Sequence, residues 1–199
     1  DPGIPRTIDT AGITKTNAII VITGIRRCGK STLLRQLSGR YDDFLYINFD
    51  DDRLMDFTVA DFPLLMLVFE KTAPGTKTLF VDEIQNVSGW ERFIRRIHDE
   101  GYKVFLTGSN ANLLSQELGT RLTGRSTAIT LFPFSFQEVL QFRAIRSDRI
   151  TAKSRAAILA EFDRYLTGGG FPDYLKSGDP EYLKRIYDDI LYRDIISRF

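Results

Sequence analysis

The segment GIRRCGKST occupies residues 24–32, with the apolar run AIIVI at residues 18–22 before it and LLRQL at residues 33–37 after it. A buried strand, a glycine-containing loop and a helix in direct succession form the context in which the pattern GxxxxGK[ST] binds phosphate. Gly24 and Gly29 carry no Cβ, so the loop can wrap tightly and turn its backbone N–H groups toward one point. The following helix directs the positive end of its dipole there. The segment therefore predicts a phosphate-binding loop.

Two side chains at the end of this loop have distinct expected roles. Lys30 provides a mobile positive charge for the β- and γ-phosphates, and the Ser31 hydroxyl is the expected protein ligand of a magnesium ion. The alternative, a chance match of the pattern in a glycine turn, is disfavoured by the strand and helix that flank it. Besides these two residues, we expect the loop to bind nucleotide through Gly24, Arg26, Arg27, Cys28, Gly29 and Thr32.

Composition limits the classes of protein that the chain can belong to. The 199 residues suffice for one α/β domain, and 27 Lys and Arg nearly balance 26 Asp and Glu. Overall charge therefore gives no argument for binding to nucleic acid or a membrane surface. Cys28 is the one cysteine, which excludes an internal disulfide and suits the reducing cytosol. No apolar run approaches membrane-spanning length, so we expect a cytoplasmic protein without a membrane partner.

A pair of carboxylates follows a second apolar run. The residues TLFV at 78–81 lead directly into Asp82 and Glu83. An apolar strand that ends in paired acids, about fifty residues after a phosphate-binding loop, is the Walker B arrangement. We expect Asp82 to hold magnesium and Glu83 to orient and deprotonate the water that attacks the γ-phosphate.

Polar side chains follow the next predicted strand, at residues 102–106. Ser109 and Asn110 lie at the tip of this strand, beside the predicted position of the acid pair. Either side chain is a candidate to sense the γ-phosphate or to hold the attacking water. The alternative is that Asn110 only caps the helix that follows.

Two arginines precede the fifth predicted strand, at residues 127–131. Arg121 and Arg125 are candidates to neutralise the charge that develops on the transferred phosphoryl group. The alternative for both residues is an ordinary surface arginine, the commonest role of an arginine at such a position.

The remaining segments divide the chain into three parts. Residues 1–17 are a polar lead-in, residues 18–146 an ATPase core, and residues 147–199 a helical tail. In the lead-in, Arg6 is expected to be solvated or, alternatively, to reach a nucleotide base. The patterns SGWE at 88–91 and SFQE at 135–138 each predict a capping box that opens a helix. The turn GGGFP at residues 168–172 is either a helix hairpin or a contact to bound nucleotide.

In this order the motifs resemble those of prokaryotic AAA+-like ATPases of the archaeal-type group, which are related to the STAND (signal-transduction) ATPases. The resemblance spans nearly everything from residue 19 to residue 199, and it is carried by GIRRCGKSTLL, LFVDEIQN, FLTGSN, TRLTGR, LFPFSF and GGFP. It implies a three-layer α/β/α P-loop fold of the additional-strand, glutamate-containing type. In that fold a five-stranded parallel sheet has the strand with the polar tip between the Walker B and P-loop strands.

The resemblance also carries expectations beyond the core. It implies a helical lid that places Pro172 against the nucleotide, and a further C-terminal domain, often nuclease-like, in a longer protein. Such a domain could supply a nucleic acid or protein partner, and Arg125 could act across a homo-oligomer. The start of the sequence, residues 1–3, resembles neither a signal peptide nor a natural initiation site, and we expect a trimmed chain.

Three functions follow from these expectations. We expect hydrolysis of ATP with magnesium, coupled to movement of the lid. The alternative is a nucleotide-dependent switch that turns over slowly or not at all. A small-molecule kinase is less favoured, because a water-activating glutamate directly after the Walker B aspartate is unusual in such enzymes. A GTPase is disfavoured because the sequence has no NKxD-type motif.

Overall fold

A computed structural model describes residues 3–108, 122, 124–146 and 151–195. The chain divides into two compact units. The first, which we call the sheet unit, comprises residues 9–24 and 30–130. The second, the helical unit, comprises residues 1–8, 25–29 and 131–199. The division of the chain at residues 17 and 146 stays a proposal from the sequence.

The sheet has five strands in the order β2-β3-β4-β1-β5, and every neighbouring pair is parallel. The strands are β1 (Ile19–Thr23), β2 (Leu45–Asn48), β3 (Thr78–Asp82), β4 (Lys103–Gly108) and β5 (Ser126–Thr130). This order confirms the predicted fold class, with β4 between the Walker B strand β3 and the P-loop strand β1. Because all strands run in one direction, their carboxyl ends lie along one edge of the sheet, where α/β proteins bind ligands.

The described residues of the sheet unit form four α-helices. They are α1 (Thr10–Lys15), α2 (Lys30–Ser38), α3 (Phe62–Thr72) and α4 (Trp90–Asp99). Trp90, Ile94 and Ile97 of α4 are all buried in the core, and Phe93 stacks on Phe62 with ring centroids 3.8 Å apart. Strand β1 is fully buried, as expected for a central parallel strand. Within the described residues, no helix is both long and apolar enough to cross a membrane.

One predicted capping box is correct and one is wrong. Ser135 caps the helix α5 (Phe136–Phe142), and its hydroxyl and the Glu138 carboxylate bond each other's backbone N–H groups. Ser88 does not cap α4. The residue before Trp90 is Gly89, which takes the N-cap position in the left-handed conformation with φ of 80°, so Ser88 lies one residue too early.

The helical unit also contains α6 (Ala152–Gly168), α7 (Pro172–Ser177) and α8 (Pro180–Asp189), and a π-helical turn (Ile190–Ile195) follows α8. Its small core joins Phe134, Val139 and Leu175. Two glycines where α6 meets α7 have close neighbours: a Cβ on Gly170 would overlap the Phe134 carbonyl group, and one on Gly168, the last residue of α6, would overlap the Tyr174 ring. A structural role as a helix hairpin therefore explains these two glycines.

Candidate active site

The phosphate-binding loop connects β1 to α2 and has the backbone that its glycines predict. Gly24 has φ of 148° and Gly29 has φ of 100°, values that residues with a Cβ rarely adopt. Arg27 is also left-handed, with φ of 62°, although it is not a glycine. A left-handed residue with a side chain costs roughly 1–2 kcal/mol, and strain of this kind is concentrated at functional sites.

Lys30 is buried at the start of α2, with 4% of its side chain exposed. Its Nζ donates to the Gly24 carbonyl oxygen over 3.1 Å and lies 4.0 Å from Oε1 of Glu83. Buried ammonium groups need such partners, because removal of the charge from water is otherwise costly. The sheet unit therefore brings together the lysine of the loop and the glutamate of the predicted acid pair.

Asp82 ends β3 and is 1% exposed. Its Oδ2 accepts a hydrogen bond of 3.0 Å from the Tyr46 hydroxyl on β2, and its Oδ1 accepts one from the Thr107 hydroxyl on β4. The Thr107 oxygen in turn accepts the Glu83 N–H over 3.0 Å. Strands on both sides of β3 thus fix the orientation of this carboxylate.

Tyr46 is held as a hydrogen-bond donor by its surroundings. Burial first, and then the charge of Asp82 and the hydrogen bond to it, raise the pKa of the Tyr46 hydroxyl to about 12. The phenol therefore stays protonated at neutral pH and donates a hydrogen bond to the carboxylate.

Glu83 departs from the strand geometry immediately after Asp82. It is left-handed, with φ of 53°, and precedes a 3₁₀ turn (Ile84–Asn86). Its Oε2 accepts a hydrogen bond of 2.5 Å from Nε2 of Gln85. Because Glu83 is only partly buried, its carboxylate combines a fixed orientation with access to solvent. These are the properties that a general base for water needs.

The other predicted loop residues differ in how far they are exposed to solvent. Arg26 and Ser31 are partly buried, while Arg27 and Thr32 are exposed. Cys28 is fully buried, and its carbonyl oxygen accepts a hydrogen bond of 3.0 Å from Nη1 of Arg6. Arg27 lies in the helical unit, where its Nη1 is 3.9 Å from Oδ2 of Asp173 and its guanidinium lies over the Tyr182 ring at 5.6 Å.

A cavity adjoins Arg27 within the helical unit. It has a volume of about 390 Å³ and is lined by Arg27, Tyr182, Arg185, Ile186, Asp188 and Asp189. The Tyr182 hydroxyl donates to Asp173 over 2.9 Å, and Asp173 directly follows Pro172 at the start of α7. The turn that carries GGFP and the loop residue Arg27 therefore belong to one cluster of contacts.

Within the sheet unit, Arg125 lies at the end of β1 that is opposite to Gly24. Arg125 precedes β5, its carbonyl oxygen accepts the Ile19 N–H over 2.8 Å, and its Nε lies 3.2 Å from Oδ1 of Asp99. Ile19 begins β1, whereas the loop follows the other end of that strand. A role for Arg125 in the site of a neighbouring copy stays a prediction. Ser109, Asn110 and Arg121 lie outside the described residues.

Sequence analysis missed three residues near the candidate site. Thr107 was passed over because β4 extends two residues beyond its predicted end, which places Thr107 beside Asp82. Tyr46 lies in an otherwise apolar strand, and a buried tyrosine hydroxyl in such a run needs a polar partner, which was the available signal. Arg6, expected to be solvated, is instead buried, with 6% of its side chain exposed.

The donor set at this edge of the sheet fits magnesium. The Ser31 hydroxyl and the Asp82 carboxylate are oxygen ligands, which Mg²⁺ prefers, and this ion commonly takes one or two protein ligands together with phosphate oxygens and water. In the described part of the chain, no group of three or more His, Cys, Asp or Glu forms a separate metal site. The residues present are therefore compatible with a nucleotide-bound magnesium ion.

Two uncharacterized proteins are similar to the chain in sequence. An uncharacterized protein from Methanocaldococcus jannaschii is 38% identical in an alignment of 189 positions that covers 92% of this chain and 43% of that protein. An uncharacterized protein from Haemophilus influenzae is 34% identical in an alignment of 198 positions that covers 92% of this chain and 47% of that protein. The chain thus spans less than half the length of these relatives.

Two solved structures are similar in overall fold. The Walker-type ATPase paby2304 of Pyrococcus abyssi has a TM-score of 0.48 at 18% identity, over 89% of this chain and 68% of that one. AMPPCP-bound DnaA from Aquifex aeolicus has a TM-score of 0.49 at 14% identity, over 94% of this chain and 62% of that one. The fold assignment rests on the strand order described above and not on these two similarities.

A family model gives the decisive comparison. The model described as an AAA domain matches residues 16–140, which are more than half of the chain. The matched range includes the phosphate-binding loop, the acid pair and all five strands. The chain therefore belongs to the AAA domain family and is an AAA+-like P-loop ATPase domain.

Proposed function

We propose that this chain binds ATP at the loop of residues 24–32 and hydrolyses it with magnesium. The observation that carries the proposal is the arrangement around Asp82. Tyr46 and Thr107 fix its carboxylate, and Glu83 follows it with Oε1 4.0 Å from Nζ of Lys30. Lysine, metal-binding aspartate and water-activating glutamate are the parts that hydrolysis of a γ-phosphate requires.

The proposed roles follow from the chemistry of each side chain. Lys30 binds the β- and γ-phosphate oxygens in place of the Gly24 carbonyl oxygen, and the loop N–H groups bind the remaining phosphate oxygens. Glu83 orients a water molecule and accepts its proton as the water oxygen bonds to the γ-phosphorus. The bond from the γ-phosphorus to the oxygen that bridges the β- and γ-phosphates breaks in the same step, so that ADP and phosphate leave. Ser31 and Asp82 would hold magnesium, which neutralises charge on the phosphate oxygens when it is bound.

Steady-state phosphate release tests this proposal. We expect Lys30→Ala to weaken nucleotide binding and Glu83→Gln to abolish turnover, relative to the unaltered chain. If both variants match the parent rate, the assigned roles are wrong. Because the chain spans less than half of its curated relatives, the activity of the whole protein is part of the proposal.

A nucleotide-dependent switch is the second candidate function. It is supported by the contacts of Arg27 with Asp173 and Tyr182, which connect a loop residue to α7 and α8 within the helical unit. In this function bound nucleotide would change these contacts and move the proposed lid, with Pro172 against the nucleotide. Copurified nucleotide together with negligible turnover would favour the switch over the ATPase.

Assembly of copies is a further part of the proposal. Arg125 would act in the site of a neighbouring copy, and its exposed position, with 43% of the side chain accessible, supports such a role. Turnover per molecule should then rise with protein concentration, and Arg125→Ala should remove that rise. A flat concentration profile in the parent protein would contradict this role.

A cytoplasmic location, and a nucleic acid or protein partner bound through a further domain, remain proposals from the sequence.

A further inference from the structure

Arg6 and Glu138 form a buried ion pair in the helical unit. Their side chains are 6% and 2% exposed. Nε of Arg6 donates to Oε1 of Glu138 over 2.8 Å, and Nη2 lies 3.4 Å from Oε2. A guanidinium that bonds both oxygens of a carboxylate is geometrically fixed, unlike a flexible ammonium group.

Glu138 is itself held by its neighbours. Its Oε1 accepts the Thr7 N–H over 2.8 Å and its Oε2 accepts the Ser135 N–H over 2.8 Å. Burial alone would raise the pKa of Glu138, but the hydrogen bonds from Arg6, Thr7 and Ser135 outweigh it and hold the pKa below its ordinary value. The ionised carboxylate therefore holds the Arg6 guanidinium in one orientation.

The remaining donors of Arg6 bond backbone carbonyl oxygens. Nη1 donates to the Cys28 oxygen over 3.0 Å and Nη2 donates to the Phe132 oxygen over 2.7 Å. The guanidinium also lies 5.0 Å from the centroid of the Phe134 ring. Arg6 thus joins the phosphate-binding loop, through Cys28, to the segment that precedes α5.

The bond to Cys28 has a consequence for the next amide. In a trans peptide unit the C=O and N–H groups point in opposite directions. No peptide bond in the described part of the chain is cis, so a Cys28 carbonyl group directed at Arg6 turns the Gly29 N–H away from Arg6. A Cβ on Gly29 would lie 3.6 Å from Nη1 of Arg6, so the guanidinium lies close against this part of the loop.

We propose that Arg6 is a positioning residue for the phosphate-binding loop, which orients the Gly29 N–H toward bound phosphate by holding the Cys28 carbonyl group away from it. The positive charge of Arg6 is matched by Glu138, so Arg6 acts through geometry rather than through net charge. The inference rests on the proposed binding of nucleotide at this loop. It assigns a role in that binding to Arg6, a residue of the segment before β1.

Equilibrium binding of fluorescent ADP without magnesium tests the inference, with inorganic pyrophosphate as competitor. We expect Arg6→Met to weaken both ligands about tenfold or more, as loss of a charged hydrogen bond allows. The matched control is Arg143→Met. Arg143 pairs with the buried Glu161 at 3.2 Å in the same unit and should leave both affinities within twofold of the parent.

Thermal unfolding separates positioning from general stability. Both variants remove an ion pair and should lower the melting temperature, but only Arg6→Met should weaken ligand binding in the folded protein. In ¹⁵N-labelled protein, pyrophosphate should shift the Gly29 amide resonance in the parent and shift it far less in Arg6→Met.

If Arg6→Met does not fold, Arg6→Lys serves as a second variant, because it keeps the positive charge beside Glu138. Its single ammonium cannot reproduce the fork of contacts, so we expect a loss of severalfold in affinity.

The outcomes distinguish the two proposals. Parental affinity for ADP and pyrophosphate in a folded Arg6 variant would overturn the positioning role while leaving the proposed function intact. Failure of the parent chain to bind either ligand would overturn the proposed function itself, and the inference with it.

Discussion

The Tyr46 hydroxyl on β2 lies 3.0 Å from Oδ2 of Asp82, the last residue of the neighbouring strand β3. This hydrogen bond orients the carboxylate that would hold magnesium, and it comes from the strand on the side opposite β4. Residues outside the predicted motifs therefore determine how the Asp82 carboxylate is oriented.

Tyr46→Phe should raise the magnesium concentration required for half-maximal phosphate release by about threefold to tenfold. The ring still packs, but one hydrogen bond that orients Asp82 is lost, and such bonds around metal-binding carboxylates commonly carry effects of at least this size. Tyr41→Phe is the matched control, because the Tyr41 ring packs against Phe80 and Phe105 in the same unit. An unchanged magnesium dependence in Tyr46→Phe would contradict the role of this hydroxyl.

Thr107→Val should destabilise the protein by about 1–3 kcal/mol, the usual cost of leaving buried polar groups without a partner. The substitution keeps the shape of the side chain but removes the donor to Asp82 and the acceptor for the Glu83 N–H. Urea unfolding measures the difference. Thr107→Ser keeps the hydroxyl and should lower the free energy of unfolding much less. An equal decrease in the two variants would show that the methyl group, and not the hydroxyl, stabilises the protein.

Glu83→Gly and Glu83→Ala should differ in stability. Both remove the carboxylate, but glycine takes the left-handed conformation at φ of 53° without the strain that alanine retains. We expect the glycine variant to be more stable by about 1 kcal/mol in urea unfolding, and neither variant to release phosphate. An alanine variant as stable as the glycine variant would mean that the strained backbone relaxes once the side chain is gone.

Glu138→Gln should change how stability depends on pH. The pKa of Glu138 is lowered in the folded state from an ordinary value of 4.5, so its ionised form stabilises the protein above that pH. The contribution is lost as pH falls through the folded pKa. The parent should therefore exceed Glu138→Gln in unfolding free energy at pH 7, and the difference should shrink below pH 4.5. A difference that is constant with pH would exclude the ionised pair as its cause.

Local sequence patterns were sufficient to predict much of the fold. The loop of residues 24–32 and the acid pair follow from apolar runs, glycines and carboxylates that lie close together in sequence. The parallel arrangement and the order of the five strands were instead implied by the resemblance to AAA+-like ATPases. The contacts of Arg6 with Glu138 and of Tyr46 with Asp82 join residues 132 and 36 positions apart. Such pairings depend on strand order and tertiary packing, which local periodicity does not encode.

Smaller differences have equally local causes. Ser88 matched the capping-box pattern, but the left-handed Gly89 begins α4 one residue later. Thr107 was overlooked because β4 ends at Gly108, two residues beyond its predicted end, and a glycine normally marks a turn. In both cases the backbone conformation at one glycine determined where the helix begins or the strand ends.

Single-turnover hydrolysis of ATP by excess protein, with Glu83→Gln beside the parent, tests the central claim most directly. The account predicts that Glu83→Gln binds ATP with the affinity of the parent, because Lys30 and the loop are intact, yet hydrolyses it at least about a hundredfold more slowly, as loss of a general base does. Hydrolysis by Glu83→Gln at the parental rate, with ATP bound equally well, would contradict the assignment of Glu83 and the proposed mechanism.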